Sequence, residues 1–99
     1  MTAYFIWNYS ITNPEGYAAY GPAIRPTMEG SGAEMIIGEL NTEAVEGTPG
    51  TKTVVLKFES REAAHKWYDS PAVQRVLPLR RDNCEGIAIL VDGYEPTQA

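Results

Sequence analysis

Residues 3–14 read AYFIWNYSITNP, and this stretch decides the fold. Its first nine residues are mostly aromatic or β-branched, a composition typical of a β-strand. Thr12 and Asn13 are helix-capping residue types, and Pro14 suits the first position of a helix. The sequence therefore predicts a strand that runs directly into a helix.

The predicted helix has one inward stripe, because apolar or small residues recur along it at spacings of three and four. The stripe consists of Tyr17, Tyr20, Gly21, Ile24 and Met28. Pro22 and Pro26 should kink or shorten the helix, since each removes a backbone donor and crowds the preceding turn.

The same plan repeats along the rest of the chain. Strands are predicted at residues 33–40 and 51–59, and Ser60 can cap a second helix. Asp69, Ser70 and Pro71 interrupt that helix and restart it, and a last strand at residues 86–91 precedes a polar tail. The order β-α-β-β-α-β predicts one α+β domain over residues 1–99, ferredoxin-like, with a four-stranded antiparallel sheet and two helices on one face.

Both faces of this sheet are apolar, although the helices can cover only one. In the first strand Phe5, Trp7 and Tyr9 lie on one face, while Tyr4 and Ile6 lie on the other. A large exposed apolar face usually marks an interaction surface. We therefore expect a homodimer that packs sheet against sheet.

Composition excludes several classes of partner. Eight basic and thirteen acidic residues give a net charge of −5, the wrong sign for a nucleic-acid-binding surface. The longest apolar run, residues 87–91, is far too short to span a membrane. We expect a cytoplasmic protein with neither nucleic acid nor membrane as a partner.

No metal site or cofactor is expected. The single cysteine, Cys84, and the single histidine, His65, are too few for the usual zinc, copper or iron sites. His65 is predicted to share the solvent face of its helix with Arg61 and Asp69, its neighbours four residues away on either side. That position also argues against a haem ligand.

Five segments resemble one known family. They are TNPEGYAAY (12–20), GSGAEMIIGE (30–39), EAVEG (43–47), VVLKFESREAAHKWYDSPAVQ (54–74) and LPLR (77–80). Together they resemble the domain of unknown function 1330 family, in the dimeric α/β-barrel superfamily. The resemblance implies that two ferredoxin-like sheets pack into a barrel across a dimer, with a pocket between each sheet and its helices. It implies no reaction.

The chain departs from the pattern of that family at three places. Asn13 stands where the pattern has aspartate, Val73 where it has an aromatic residue, and Glu39 where it has the second glycine of a pair. Glu39 thus adds a carboxylate where the pattern has no side chain.

Tyr17, Tyr20 and Arg80 are the central site candidates. Two phenols beside Gly21 could orient a carbonyl or phenolate substrate, or they could be core tyrosines with hydroxyls at the rim. If the restarted helix continues in phase past Pro78, Arg80 falls on its inward stripe and should meet an anion. If Pro78 breaks the phase, Arg80 is instead solvated near the end of the helix. We place an ion pair with Glu39 or Glu46 first and a ligand anion second.

The aromatic block around residue 67 supplies the remaining candidates. Trp67 should point at the sheet, where it packs in the core or contacts substrate. Tyr68 lies about 100° further round the helix and could reach either the pocket or water. Trp67, Tyr68 and Ser70, with Tyr17, are the predicted substrate-binding residues, and Tyr20, Arg80 and Glu39 are the predicted catalytic ones.

Two functions fit these residues. The first is a cofactor-independent enzyme acting on a hydrophobic oxygenated small molecule, in which tyrosines and Arg80 stabilise an oxyanion and Glu39 shuttles a proton. The second is a non-enzymatic dimer that binds a small molecule or serves a structural role.

Overall fold

The computed structural model describes residues 1–94, which form four strands and four helices. The strands are β1 Ala3–Ile11, β2 Glu34–Glu39, β3 Lys52–Phe58 and β4 Cys84–Asp92, and the helices are α1 Pro14–Tyr17, α2 Tyr20–Met28, α3 Arg61–Tyr68 and α4 Pro71–Arg81. The later part of the predicted polar tail, residues 95–99, lies outside the described residues.

The strands form one antiparallel sheet in the order β2-β3-β1-β4. This is the ferredoxin-like arrangement, so the predicted fold class is confirmed. β1 has the predicted bounds, and the other strands differ from prediction by at most two residues at either end. A β-bulge between Met35 and Ile37 shifts the register of edge strand β2.

The first predicted helix is in fact two helices, α1 and α2, joined at Ala18 and Ala19. Pro22 explains the break, because it has no N–H to donate to the carbonyl of Ala18 and its ring crowds that turn. Pro26 is accommodated inside α2. The inward stripe survives the break, since Tyr20 is buried and Tyr17, Gly21, Ile24 and Met28 are half-buried.

Serine side chains begin α3 and α4 as predicted. The Ser60 hydroxyl accepts a hydrogen bond from the Ala63 N–H at 3.1 Å, and the Ser70 hydroxyl accepts one from the Val73 N–H at 3.3 Å. Pro78 does not break α4, which continues to Arg81. The stripe on α4 therefore stays in phase and carries Val73, Leu77 and Arg80 into the interior.

The core lies between the helices and the sheet face that they cover, which we call the helix face. Phe5 and Trp7 stack there with ring centroids 4.6 Å apart, and Trp67 of α3 meets both edge-on at 6.1 Å. Phe58, Val73 and Leu77 are fully buried beside them. Trp67 thus points at the sheet, as predicted.

The opposite side, which we call the outer face, is apolar over much of its area. Directly paired residues share a face of a sheet, so Tyr4, Ile6 and Val55 belong to it together with Ile37 of β2 and Ile89 of β4. Ile89 is 43% exposed and Ile37 45%. No helix within residues 1–94 is long and apolar enough to cross a membrane.

Candidate functional site

A cavity opens between the helix face of the sheet and helix α2. The cavity has a volume of about 100 Å³, several times the ~10–15 Å³ that one water needs. All five residues of the predicted stripe on α1 and α2 line it, together with sheet residues, Trp67 and Arg80. The exposed side chains of Arg25 and Met35 lie at its mouth.

Arg80 is buried at this cavity, with 8% of its surface exposed. Its Cζ atom lies 6.0 Å from the ring centroid of Tyr9 and 5.9 Å from that of Tyr20. Its Nε has no hydrogen-bond partner, and within residues 1–94 the guanidinium forms no ion pair. The side chain is a buried cation with aromatic neighbours but no counter-ion.

The ion pair that we placed first for Arg80 is therefore wrong. Glu39 pairs with Thr53 across β2 and β3, and Thr53 belongs to the outer face because it also pairs with Asn8. Glu46 lies in the exposed loop between β2 and β3 and lines a separate surface depression. The sheet separates Arg80 from the first carboxylate, and the loop holds the second away from it.

A hydrogen-bonded chain of three side chains forms another part of the cavity wall. Lys52 Nζ donates to Tyr17 Oη at 2.8 Å, and Tyr17 Oη lies 2.7 Å from Tyr9 Oη. A phenol oxygen can accept two hydrogen bonds and donate one. If Tyr9 also donates to Tyr17, the Tyr17 hydroxyl proton is free to meet a ligand.

Burial keeps two of the tyrosines in their protonated form. It raises the pKa of Tyr9 far above its ordinary value, and the hydrogen bond with Tyr17 raises this pKa further. Burial also raises the pKa of Tyr20, although the charge of Arg80 and a hydrogen bond with Arg80 oppose the shift. Both phenols are therefore neutral hydroxyl groups at physiological pH.

Four of the seven predicted site residues meet at the cavity, namely Tyr17, Tyr20, Trp67 and Arg80. Trp67 also serves as packing, since its Nε1 donates to Thr27 Oγ1 at 3.2 Å and its ring joins the aromatic core. It therefore lies in the core and at the cavity wall together.

Structure places the other three candidates elsewhere. The Tyr68 ring stacks on Phe5 with centroids 5.1 Å apart, and its hydroxyl accepts from Arg81 on the exposed side. Ser70 caps α4 and donates to the Trp67 carbonyl at 2.7 Å. Glu39, on the outer face, is exposed and accepts from the Asn41 N–H. A ligand in the cavity has no direct contact with these side chains.

Sequence reasoning missed Trp7, Tyr9 and Lys52 as cavity residues. The alternation of β1 assigns both aromatic residues to the helix face, but nothing in that pattern distinguishes a cavity wall from a filled core. Lys52 had a readable signal, since Lys52, Val54, Leu56 and Phe58 share one face of β3 by period two. A lysine at an inward strand position is unusual enough to mark a polar site.

Within the described part of the chain no three His, Cys, Asp or Glu side chains cluster as metal ligands do. The sole histidine, His65, is exposed on α3. The groups that could act on a ligand here are phenols, one lysine, arginines and an indole N–H.

The family model of a domain of unknown function, DUF1330, matches residues 2–94. The chain belongs to this family. No protein with curated annotation matches the DUF1330 chain in sequence.

Solved structures share its fold at low sequence identity. A protein of unknown function from Rhodopseudomonas palustris has a TM-score of 0.76 and 14% identity, over 96% of this chain and 84% of that one. SnoaB, a cofactor-independent oxygenase from Streptomyces nogalater, has a TM-score of 0.66 and 8% identity, over 95% and 94%. A dimeric protein of unknown function and ferredoxin-like fold from Bacteroides fragilis has a TM-score of 0.60 and 12% identity, over 93% and 96%.

Proposed function

We propose that this DUF1330 protein binds a small, hydrophobic, oxygenated molecule in the cavity between the sheet and α2. The observation that carries the proposal is a pair of buried donors without acceptors at one cavity, Trp7 Nε1 and Arg80 Nε. Buried polar groups are nearly always hydrogen-bonded, and an unpaired one costs about 1–3 kcal/mol. Oxygen atoms of a ligand would supply the missing acceptors.

The rest of the cavity wall fits the body of such a molecule. Its surface is mainly aromatic and aliphatic, with contributions from Tyr20, Ile24, Leu56 and Trp67. Ligand sites commonly combine an apolar wall with a few placed polar groups. A single ring with one or two oxygen substituents matches both the size and the chemistry of this space.

A thermal-shift screen of phenolic and carboxylic metabolites tests the proposal. A ligand at one hundred times its Kd adds about 2.7 kcal/mol to the stability of the folded state. For a domain of this size the Tm should rise by about 10–20 °C, at a fixed protein concentration. Both tryptophans of the chain, Trp7 and Trp67, line the cavity, so a true ligand must also change the intrinsic fluorescence.

Two results would contradict binding in this cavity. One is a screen without any compound that stabilises the protein at millimolar concentration. The other is a compound that raises the Tm and leaves the tryptophan fluorescence unchanged, since it would bind elsewhere on the molecule.

A second candidate function is catalysis without a metal or organic cofactor. The chain of Lys52, Tyr17 and Tyr9 favours it, because Tyr17 is positioned to exchange a proton with a ligand while its neighbours compensate for the change. Tyr20 and Arg80 would stabilise negative charge on the ligand oxygen. SnoaB, a cofactor-independent oxygenase, shows that the fold supports such chemistry. Mass spectrometry of each hit after incubation would detect conversion.

We also propose that the protein acts as a homodimer formed through the outer face. On the outer face Ile37, Ile87 and Ile89 are 45%, 61% and 43% exposed, and no element within residues 1–94 covers them. A similarly folded protein from Bacteroides fragilis is dimeric. In such a dimer each subunit keeps its own cavity, because the cavity lies on the helix face.

A further inference from the structure

We propose that the ligand of this cavity is an anion, an aromatic or similarly flat carboxylate or enolate whose oxygen atoms bind Arg80 and Trp7. The inference rests on the proposed function and specifies its ligand class. Three features support it: the sign of the charge around the cavity, the absence of a carboxylate partner for Arg80 within residues 1–94, and a second unpaired donor at Trp7.

The cavity is lined by positive charge in a negatively charged protein. Among residues 1–94, Arg25, Lys52 and Arg80 line it, and no aspartate or glutamate does. The whole chain has thirteen acidic residues against eight basic ones. Like-signed groups around a low-dielectric space attract an anion and disfavour a cation. The positive charge at the cavity therefore favours an anionic ligand, whereas the net negative charge of the whole protein would attract a cation.

Arg80 gives the strongest argument, because guanidinium groups stay charged when they are buried. Burial of an unpaired charge strongly destabilises the folded state. Cation–π attraction to the rings of Tyr9 and Tyr20, whose centroids lie about 6 Å from Arg80 Cζ, offsets part of that destabilisation. A carboxylate or enolate oxygen would stabilise the charge much more, through charge-assisted hydrogen bonds to Arg80 Nε and Trp7 Nε1, which lack acceptors within residues 1–94.

Trp7 offers a second unpaired donor at the cavity wall. Its Nε1 is a donor only, the residue is 4% exposed, and no acceptor meets it within residues 1–94. Lys52 donates to Tyr17, and its Nζ lies 5.9 Å from the ring centroid of Tyr9, the ring that Arg80 also faces, so it adds positive charge to the same part of the cavity. The rings of Tyr20 and Trp67 line the same cavity and offer apolar contact to the flat body of the ligand.

Benzoate and benzamide provide the test, since they have nearly the same shape and differ in charge. Titration of tryptophan fluorescence in the wild-type protein should give a Kd for benzoate at least tenfold lower than that for benzamide. Equal affinity, or tighter binding of benzamide, overturns the anion inference while the proposed binding function stands. If neither probe, nor any compound of the phenolic and carboxylic screen, binds, the proposed function itself fails.

Arg80→Met and Arg81→Met are a matched pair for the same titration. Arg80→Met should abolish the preference for benzoate, whereas Arg81→Met should keep it, because Arg81 is exposed and donates to Tyr68 outside the cavity. A preference that survives in Arg80→Met contradicts the assignment. Far-UV circular dichroism checks that Arg80→Met folds. If it does not fold, the ratio of the benzamide and benzoate Kd values in the wild-type protein still decides the test.

Discussion

At the scale of single residues, Gly21 controls how much room a ligand has. It lies in α2 at the cavity wall, and a Cβ atom added there would sit 3.5 Å from Arg25 Nη2, an ordinary contact. Alanine also favours a helix over glycine by up to about 1 kcal/mol. Gly21 therefore leaves space at some expense of helix stability.

We expect Gly21→Ala to raise the free energy of unfolding by about 0.5–1 kcal/mol, measured by urea denaturation. The same change should weaken benzoate binding, because the new methyl group projects into the cavity. Ala23→Gly is the control, since Ala23 lies in the same helix without lining the cavity, and it should lower stability and leave affinity unchanged. Unchanged benzoate affinity in Gly21→Ala would show that the ligand binds elsewhere.

Arg80 and Glu39 show what residue-level sequence reasoning can and cannot predict. The phase of the α4 stripe predicted that Arg80 points inward, which is correct because helical periodicity is local information. Its partner could not be predicted, since the face on which Glu39 lies depends on a bulge in β2 and on pairing with a distant strand. Contacts that depend on the register between two strands cannot be predicted from the sequence of either strand alone.

At the scale of elements, the Ser70 cap fixes where α4 begins and hence the phase that turns Arg80 inward. Its hydroxyl oxygen accepts from Val73, and its proton is donated to Trp67, so both hydrogen-bonding functions are used within the protein. A serine in this state has a structural role first. A hydrogen bond from Ser70 to a substrate would have to replace its hydrogen bond to Val73 or Trp67.

We expect Ser70→Ala to lower the free energy of unfolding by about 1 kcal/mol, the usual effect of losing an N-cap. Ser60→Ala removes the equivalent cap of α3 and should show a similar loss. Benzoate affinity should remain unchanged in both variants, because neither serine lines the cavity. A Ser70→Ala variant with normal stability and weakened binding would instead support the substrate-binding role predicted from sequence.

Element boundaries were predictable where capping chemistry marks them. The start of α3 was predicted from Ser60, and that of α4 from Ser70 and Pro71. Pro14 predicted the start of α1. The prolines predict a kinked or shortened first helix but not the break at Ala18 and Ala19, because the sequence does not show whether a proline ends a helix or bends it.

At the scale of the whole molecule, the two faces of the sheet differ in what covers them. The helix face holds the core and the cavity, while the outer face is left apolar and open. The sequence predicted this division, since period-two alternation assigns every strand residue to a face once the strand is recognised. It could not predict the cavity, because unfilled space depends on how side chains from α2, α4 and the sheet fail to meet.

The outer face is the part of the molecule whose role can be tested independently of any ligand. Standard protein interfaces bury roughly 800 Å² on each partner, which a four-stranded sheet face can supply. We expect the wild-type protein to sediment as a dimer at micromolar concentration, at twice the 10.9 kDa mass of the chain.

Ile89→Asp should convert that dimer to a monomer, because it places a charge in the apolar patch opposite Ile6. Ile89 is 43% exposed in the subunit, so the monomer should tolerate the substitution. Val45→Asp is the matched control, since Val45 is an exposed apolar residue of the loop between β2 and β3 and should leave the dimer intact. Analytical ultracentrifugation distinguishes the two variants, and a wild-type monomer would exclude sheet-to-sheet assembly. Because the cavity lies on the opposite face, benzoate should bind the Ile89→Asp monomer as well as the dimer, so assembly and ligand binding are separable properties of the fold.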